Sequence, residues 1–311
     1  MTKKEILETI ELRQSTLKTY LNCSLMYSYI HIHKFEPEFR YAATVSGSAY
    51  HLVLQWMHEG EWDGDLESLY SKALNHYLYA SSESHIPVRW KKDKQSDIIN
   101  LTRNAVEILT NYREMDCNKQ AIVLFSEAKF KVKVLGYEMT GTIDQVRKNP
   151  DGTVELIDFK SSAQRPNMYA VKNDLQLTLY SYAIRHGFLL VDGIWVKPNL
   201  LVDTVGIYFL RAHEVYKRKV PGKQIGDQKG DPFIRTTKDI QSLRAFRYEV
   251  RSLLSGMLKP AMHNGESIYF ANTASCSFCA YKGHCVSRNE KVPVDAIDGA
   301  HALLAELNMA L

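Results

Sequence analysis

The chain has 311 residues, 45% of them apolar and 24% charged, and a net charge of +4. That is enough to bury a core in one large domain or two small ones, and the mix excludes a disordered or fibrous chain. No run of 18 apolar residues occurs, so no membrane-spanning helix is expected, and Met1-Thr2-Lys3-Lys4-Glu5 leads into no signal-peptide core; the expected location is cytoplasmic.

In chain order, the spacing predicts a helix over 14–33 opened by Ser15, with Leu17, Tyr20, Leu21 and Leu25 behind it. Tyr50, Val53, Leu54 and Met57 mark a second helix at 46–59, and two more amphipathic helices follow at about 64–80 and 95–115. The period then changes. Segments 121–133 and 138–147 read as strands around a turn at Leu135-Gly136-Tyr137. Asn149-Pro150-Asp151-Gly152 is a turn before a strand over 153–160. A helix at about 170–187, closed by Gly187, precedes strands at 191–197 and 202–211. A loop rich in Gly and Lys over 220–231, a helix around 237–257 and a short amphipathic helix at 295–311 complete the chain. Helices on both sides of a central set of strands predict a mixed α/β core with helical cover. The expected organisation is one integrated domain: a helical part over 1–120, a core over 121–211, a basic loop, helix and cysteine segment over 212–294, and the final helix.

Charge is unevenly placed. Lys217, Arg218, Lys219, Lys223, Lys229, Arg235, Lys238, Arg244 and Arg247 crowd one region, which reads as a solvated face or as a surface that tracks phosphates. Arg89-Trp90-Lys91-Lys92 adds a smaller basic cluster with a ring that could stack on a base.

Two constellations carry chemistry. Asp144 ends one predicted strand, and Asp158 and Lys160 share a face of the next, because strand side chains alternate with period two. Neighbouring carboxylates repel unless a cation sits between them, and hard oxygen ligands suit Mg²⁺ or Mn²⁺. Lys160 could then hold or polarise a water that attacks phosphorus. The second constellation is Cys276-x₂-Cys279-x₅-Cys285, with Cys23 available as a fourth thiolate. Such a set suits zinc or iron–sulfur, and spacing does not choose between them. Either would close a very long loop between the two ends of the chain. Cys117 is left over.

Glu127, Gly141-x-x-Asp144, Asp158-x-Lys160 and Gln176-x-x-x-Tyr180, in that order, resemble the motif series of the RecB-like branch of the PD-(D/E)XK nucleases. Gly47-Ser48-Ala49-Tyr50-His51 resembles the branch's upstream helix, and the segment from Ser15 to Cys23 its N-terminal motif. The proline of the superfamily's name is replaced by Ile143, as is common in the branch. The resemblance implies a PD-(D/E)XK core in which His51, Asp144 and Asp158 bind the metal and Lys160 is the catalytic lysine. It also implies that Glu127 binds metal directly or through water, and that Gln176 and Tyr180 contact the surroundings of the site or the DNA. Members with an iron staple hold a [4Fe–4S] cluster on one upstream cysteine and a C-terminal triplet, here Cys23, Cys276, Cys279 and Cys285.

The implied activity is a Mg²⁺- or Mn²⁺-dependent DNA exonuclease on single strands or ends, in recombination, repair or end processing. The chain is similar to CRISPR-associated RecB-like exonucleases and to AddB-type nuclease domains, and its length also suits a phage-encoded counterpart. No G-x-x-x-x-G-K-[ST] occurs, so a helicase or recombination partner would supply any unwinding. The competing readings are a catalytically silent DNA-end-binding scaffold and a zinc-stapled RNA-processing nuclease.

Overall fold

The computed structural model describes residues 6–7, 10–60, 65–162, 164–198, 200–211, 232–258, 261–263 and 266–285. The predicted loop over 220–231 and helix over 295–311 lie outside them. The chain divides into two compact units, one of Met1–Arg40, Lys133–Thr140 and Arg244–Leu311, the other of Tyr41–Val132 and Gly141–Leu243.

The second unit is built on a mixed sheet. Its strands are β1 (Ile122–Val134), β2 (Tyr137–Lys148), β3 (Val154–Lys160), β4 (Phe188–Val191), β5 (Ile194–Val196), β6 (Thr204–Phe209) and β7 (Phe233–Thr236), in the order β5-β4-β1-β2-β3-β6-β7. The tip of the β1–β2 hairpin falls in the first unit. β3 runs antiparallel to β2 and parallel to β6, as an α/β arrangement requires. Two-residue turns close the β1–β2 and β4–β5 hairpins: Leu135 and Gly136 have φ of 53° and 84°, Asp192 and Gly193 49° and 78°. Positive φ at both positions matches the twist of the flanking strands. The predicted strand over 191–197 is therefore two short strands around Asp192-Gly193.

β3 is buried along its length except at Lys160. Three helices cover one face: Ala42–Glu59, Leu66–Glu83 and Lys94–Glu114. Their core stripe, with Val53, Leu54, Tyr70 and Leu109, packs with Ile157, Phe159 and Tyr208. Asp65 and Asp93 cap the second and third by accepting the Ser68 and Ser96 N–H groups, each at 2.9 Å. On the other face, Tyr180 of helix Leu175–His186 meets Phe130 edge-on. Asp174 caps that helix by accepting from Leu177 N. The predicted helix over 170–187 is thus split, with a short Met168–Lys172 turn before the cap.

The first unit differs most from expectation. Instead of one helix over 14–33, the chain forms Gln14–Asn22, Ser24–Tyr27 and a π turn Ser28–Ile32. Ser15 lies inside the first helix, and Arg13 takes the cap position. The break is at Cys23, whose backbone is extended (φ −164°). Leu25 N donates to Phe270 O at 2.9 Å and Phe270 N to Ser24 Oγ at 2.7 Å, tying this segment to the C-terminal part of the unit.

Candidate functional site

The site lies where β2 and β3 part. One step past Gln145↔Ile157, the last pair of their ladder, come Asp144 and Asp158. Here Asp144 Oδ2 accepts from Phe159 N at 2.7 Å. Asp158 Oδ2 holds the Lys160 ammonium at 2.7 Å. Asp158 Oδ1 is buried and has no hydrogen-bond partner among the described residues. From helix Ala42–Glu59, His51 Nδ1 reaches Glu127 Oε1 at 3.0 Å and Asp144 Oδ2 at 3.5 Å.

Glu127 gets there by a local distortion. Ser126 reaches His58 on the Phe159 face of the sheet, whereas Phe130 meets Tyr180 on the other. Four positions apart, they would share a face if the alternation were unbroken. It slips by one at Glu127, whose φ of 46° is left-handed and strained for a non-glycine residue. The bulge aims the carboxylate at His51.

The electrostatics show an excess of negative charge. Burial raises Asp144, and Glu127 adds to it, while His51 and Lys160 pull the other way. Asp158 is pushed up to about 7, by burial and then by Asp144. Burial works against a charged His51, but Asp144 and Glu127 outweigh it and raise it to about 9. Burial likewise disfavours the Lys160 ammonium, yet Asp158 and Asp144 hold its proton more tightly than usual. Lys160 is therefore a cation and a donor, not a base. The ligand atoms of His51, Glu127 and Asp144 lie within 4.8 Å of one another. With the orphaned Asp158 oxygen, this donor set fits a divalent cation that prefers oxygen and tolerates one imidazole.

Gln176 and Tyr180 are brought together as a pair, Gln176 Nε2 donating to Tyr180 Oη at 2.7 Å. Burial raises the Tyr180 hydroxyl, and the Asp144 and Asp158 charges raise it further. Gly141 has a packing reason: a Cβ there would come 2.7 Å from the Phe130 ring. Gly141→Ala should displace that ring against Tyr180, lowering stability by about 1–3 kcal/mol in a denaturant melt.

A polar layer behind the site has no counterpart among the residues read from sequence. Buried Gln145 places Nε2 3.0 Å from His58 Nε2, and His58 also hydrogen-bonds with Tyr112 and Ser126. Burial pushes His58 down to about 4, with Arg147 adding, so it is neutral. His58 stacks on Phe159 and His51 meets the same ring edge-on, so the layer packs against the ring that His51 also touches. The seven-residue spacing of the two histidines, two helical turns, was the available signal. An open cleft of about 720 Å³, lined by Gly47, Ser48, His51, Glu127, Lys160 and Ser161 among others, gives access from solvent.

In the first unit, Cys23, Cys276, Cys279 and Cys285 line one cavity with Leu25, Met26 and Tyr29. All are free thiols. Cys23 Sγ accepts the Met26 and Asn272 N–H groups, each at 3.4 Å. Burial raises the Cys279 thiol, and Cys285, Cys23 and Cys276 each raise it further. Four sulfurs lining one apolar pocket fit a shared metal or cluster. Cys117 lies in the second unit and bonds Asn118 at 3.6 Å.

A family model for the PD-(D/E)XK nuclease superfamily matches residues 11–286. The chain belongs to the PD-(D/E)XK nuclease superfamily. Its mixed sheet with flanking helices is the core of such a domain, and membership implies a metal-dependent nuclease acting on DNA. No curated protein matches the chain. Among solved structures, the chain is similar to the "Crystal structure of SSO0001", at 13% identity over 92% of this chain and 96% of that one, with a TM-score of 0.31. No helix among the described residues of this PD-(D/E)XK chain is long and apolar enough to cross a membrane.

Proposed function

We propose that the chain is a DNA exonuclease of the RecB-like branch, acting on single strands or DNA ends with Mg²⁺ or Mn²⁺. The observation that carries this is the Asp144–Asp158–Lys160 group, with a charged lysine 2.7 Å from a carboxylate that keeps one oxygen unpartnered among the described residues, beside an open cleft. His51, Glu127, Asp144 and Asp158 would hold the cation. Once bound, it would supply Lewis-acid stabilisation of charge on the phosphate. The chain's own groups do the rest. Lys160 donates from its ammonium to the developing charge and helps orient the attacking water. Asp158 fixes that ammonium, and the Gln176–Tyr180 pair borders the carboxylates. Recombination, repair or end processing, in the cytoplasm and beside a helicase or recombination partner, is the setting this activity suits.

End-labelled single-stranded DNA should be degraded with Mn²⁺ or Mg²⁺, spared in EDTA, and spared by Lys160→Ala. Resistance of circular single strands would mark the activity as exonucleolytic. Equal degradation by wild type and variant would sink the catalytic assignment, and binding without degradation would favour the silent scaffold.

The four cysteines are proposed to hold a [4Fe–4S] cluster with a structural role. Protein purified without oxygen should be brown and carry about four iron atoms per chain. Cys279→Ser should bleach it and lower the melting temperature. Colourless protein with one zinc per chain would contradict the cluster and favour the zinc-stapled alternative.

A further inference from the structure

At its β5 edge the sheet carries a surface that neither motif uses. In register, Lys131 stands opposite Phe188 and Leu190 opposite Trp195. Because side chains alternate, Lys129, Lys131, Phe188, Leu190 and Trp195 share one face. The Lys131 ammonium sits 4.4 Å from the Trp195 ring centroid and 6.0 Å from that of Phe188. Both rings are open to solvent, Phe188 by 43% and Trp195 by 39%. Lys129 and Lys197 are also exposed. Lys129 and Lys131 lie two and four residues past Glu127 on β1, on the order of 7 and 13 Å from it.

Resting on the reading of the site as a DNA nuclease, we propose that this face binds a short run of single-stranded DNA beside the cleft. Trp195 and Phe188 stack on its bases, and Lys129 and Lys131 meet its phosphates. Exposed rings among cations are what an unpaired strand needs; a duplex keeps its base faces stacked inside and offers none to a flat surface. A second copy of the chain fits less well. β5 is a three-residue edge followed at once by Lys197, and short edges and lysines both keep edge strands from pairing; a two-fold partner on this face would also bring Lys129 and Lys131 against their own counterparts.

The test is fluorescence anisotropy of a labelled thymidine oligonucleotide in EDTA, across a salt series, with cleavage in Mn²⁺ measured on the same proteins. Trp195→Ala should weaken binding by roughly tenfold without changing its salt dependence. Trp195→Phe should restore most of it. Lys129→Ala and Lys131→Ala should each reduce the slope of log affinity against log salt by about 0.7. Tyr79→Ala, an exposed aromatic on helix Leu66–Glu83, serves as the control that binds as wild type does. The surface is overturned, with the nuclease reading intact, if wild type cuts DNA while the Trp195 and Lys131 variants bind as tightly as it does. It is also overturned if the chain dimerises through this edge and Trp195→Ala abolishes the dimer. Wild type that neither binds nor cuts would overturn both.

Discussion

Replacing Lys160 with alanine should lower the single-turnover rate of DNA cleavage by about 10²–10³-fold, the loss seen when one preorganised donor is removed from an active site. The ammonium is held 2.7 Å from Asp158, and the Asp158 and Asp144 charges outweigh the burial that would discharge it. The group thus arrives charged and aimed, so no reorganisation is needed as negative charge builds on phosphate. Alanine removes the donor and also leaves Asp158, already raised by burial and Asp144, without its counter-charge. Lys160→Arg should recover only part of the rate, because a planar guanidinium cannot replace a compact ammonium in the same space. Gel-resolved product formation at saturating enzyme measures this, and a rate within a few fold of wild type would remove Lys160 from the mechanism.

The second large effect is on stability. Glu155→Ala should destabilise the protein by about 3–5 kcal/mol, because it strips the counter-ion from a buried arginine. Arg147 is 1% exposed and donates to Glu155 Oε2 from Nε at 3.0 Å and from Nη2 at 2.8 Å. Its Nη1 donates to Asn118 Oδ1 at 2.7 Å, and Arg235 Nε donates to Glu155 Oε1 at 2.7 Å. The pair faces itself across the β2–β3 ladder as Arg147↔Glu155, three residues from Asp144 and Asp158 respectively, so activity should fall with stability. Arg235→Ala should be milder, because that side chain is 35% exposed and water can replace it. Urea melts of the three proteins decide it, and a Glu155→Ala shift below 1 kcal/mol would contradict the account.

The same network sets a pH dependence. Burial tends to raise Glu155, but the hydrogen bonds from Arg235 and Arg147 outweigh it and leave the carboxyl below its ordinary value. A carboxylate depressed in the folded state binds its proton more readily when unfolded. Its stabilisation is therefore complete above the ordinary glutamate value and is lost as pH falls through the lowered one. Glu155→Gln should accordingly flatten the acid limb of a stability–pH profile.

Where local pattern fixes structure, the chain reads well. The two-step spacing of Asp158 and Lys160 places them together, and the position of Asp144 opposite Asp158 follows from one hairpin. The turn at Leu135-Gly136 was legible for the same reason. Asp192-Gly193 carries an equally strong turn signal, yet the strands beside it are four and three residues long and merged into one expected strand. Other features have no local signature. The left-handed Glu127 is imposed by its place between His51 and the sheet. Cys23 breaks a helical pattern because its sulfur lines a cavity with cysteines some 250 positions away, a demand that periodicity cannot express. The Gln145–His58 layer stayed hidden because both residues are ordinary on their own and acquire partners only through packing.

His51, Glu127, Asp144 and Asp158 are proposed to form a divalent-cation site. Calorimetric titration of Mn²⁺ into wild type and Asp144→Asn tests it most directly, because asparagine can still accept the Phe159 N–H while removing the charge. Wild type should show saturable Mn²⁺ binding that the variant weakens at least tenfold, with DNA cleavage falling in parallel. Equal Mn²⁺ affinity in the two proteins would contradict the claim.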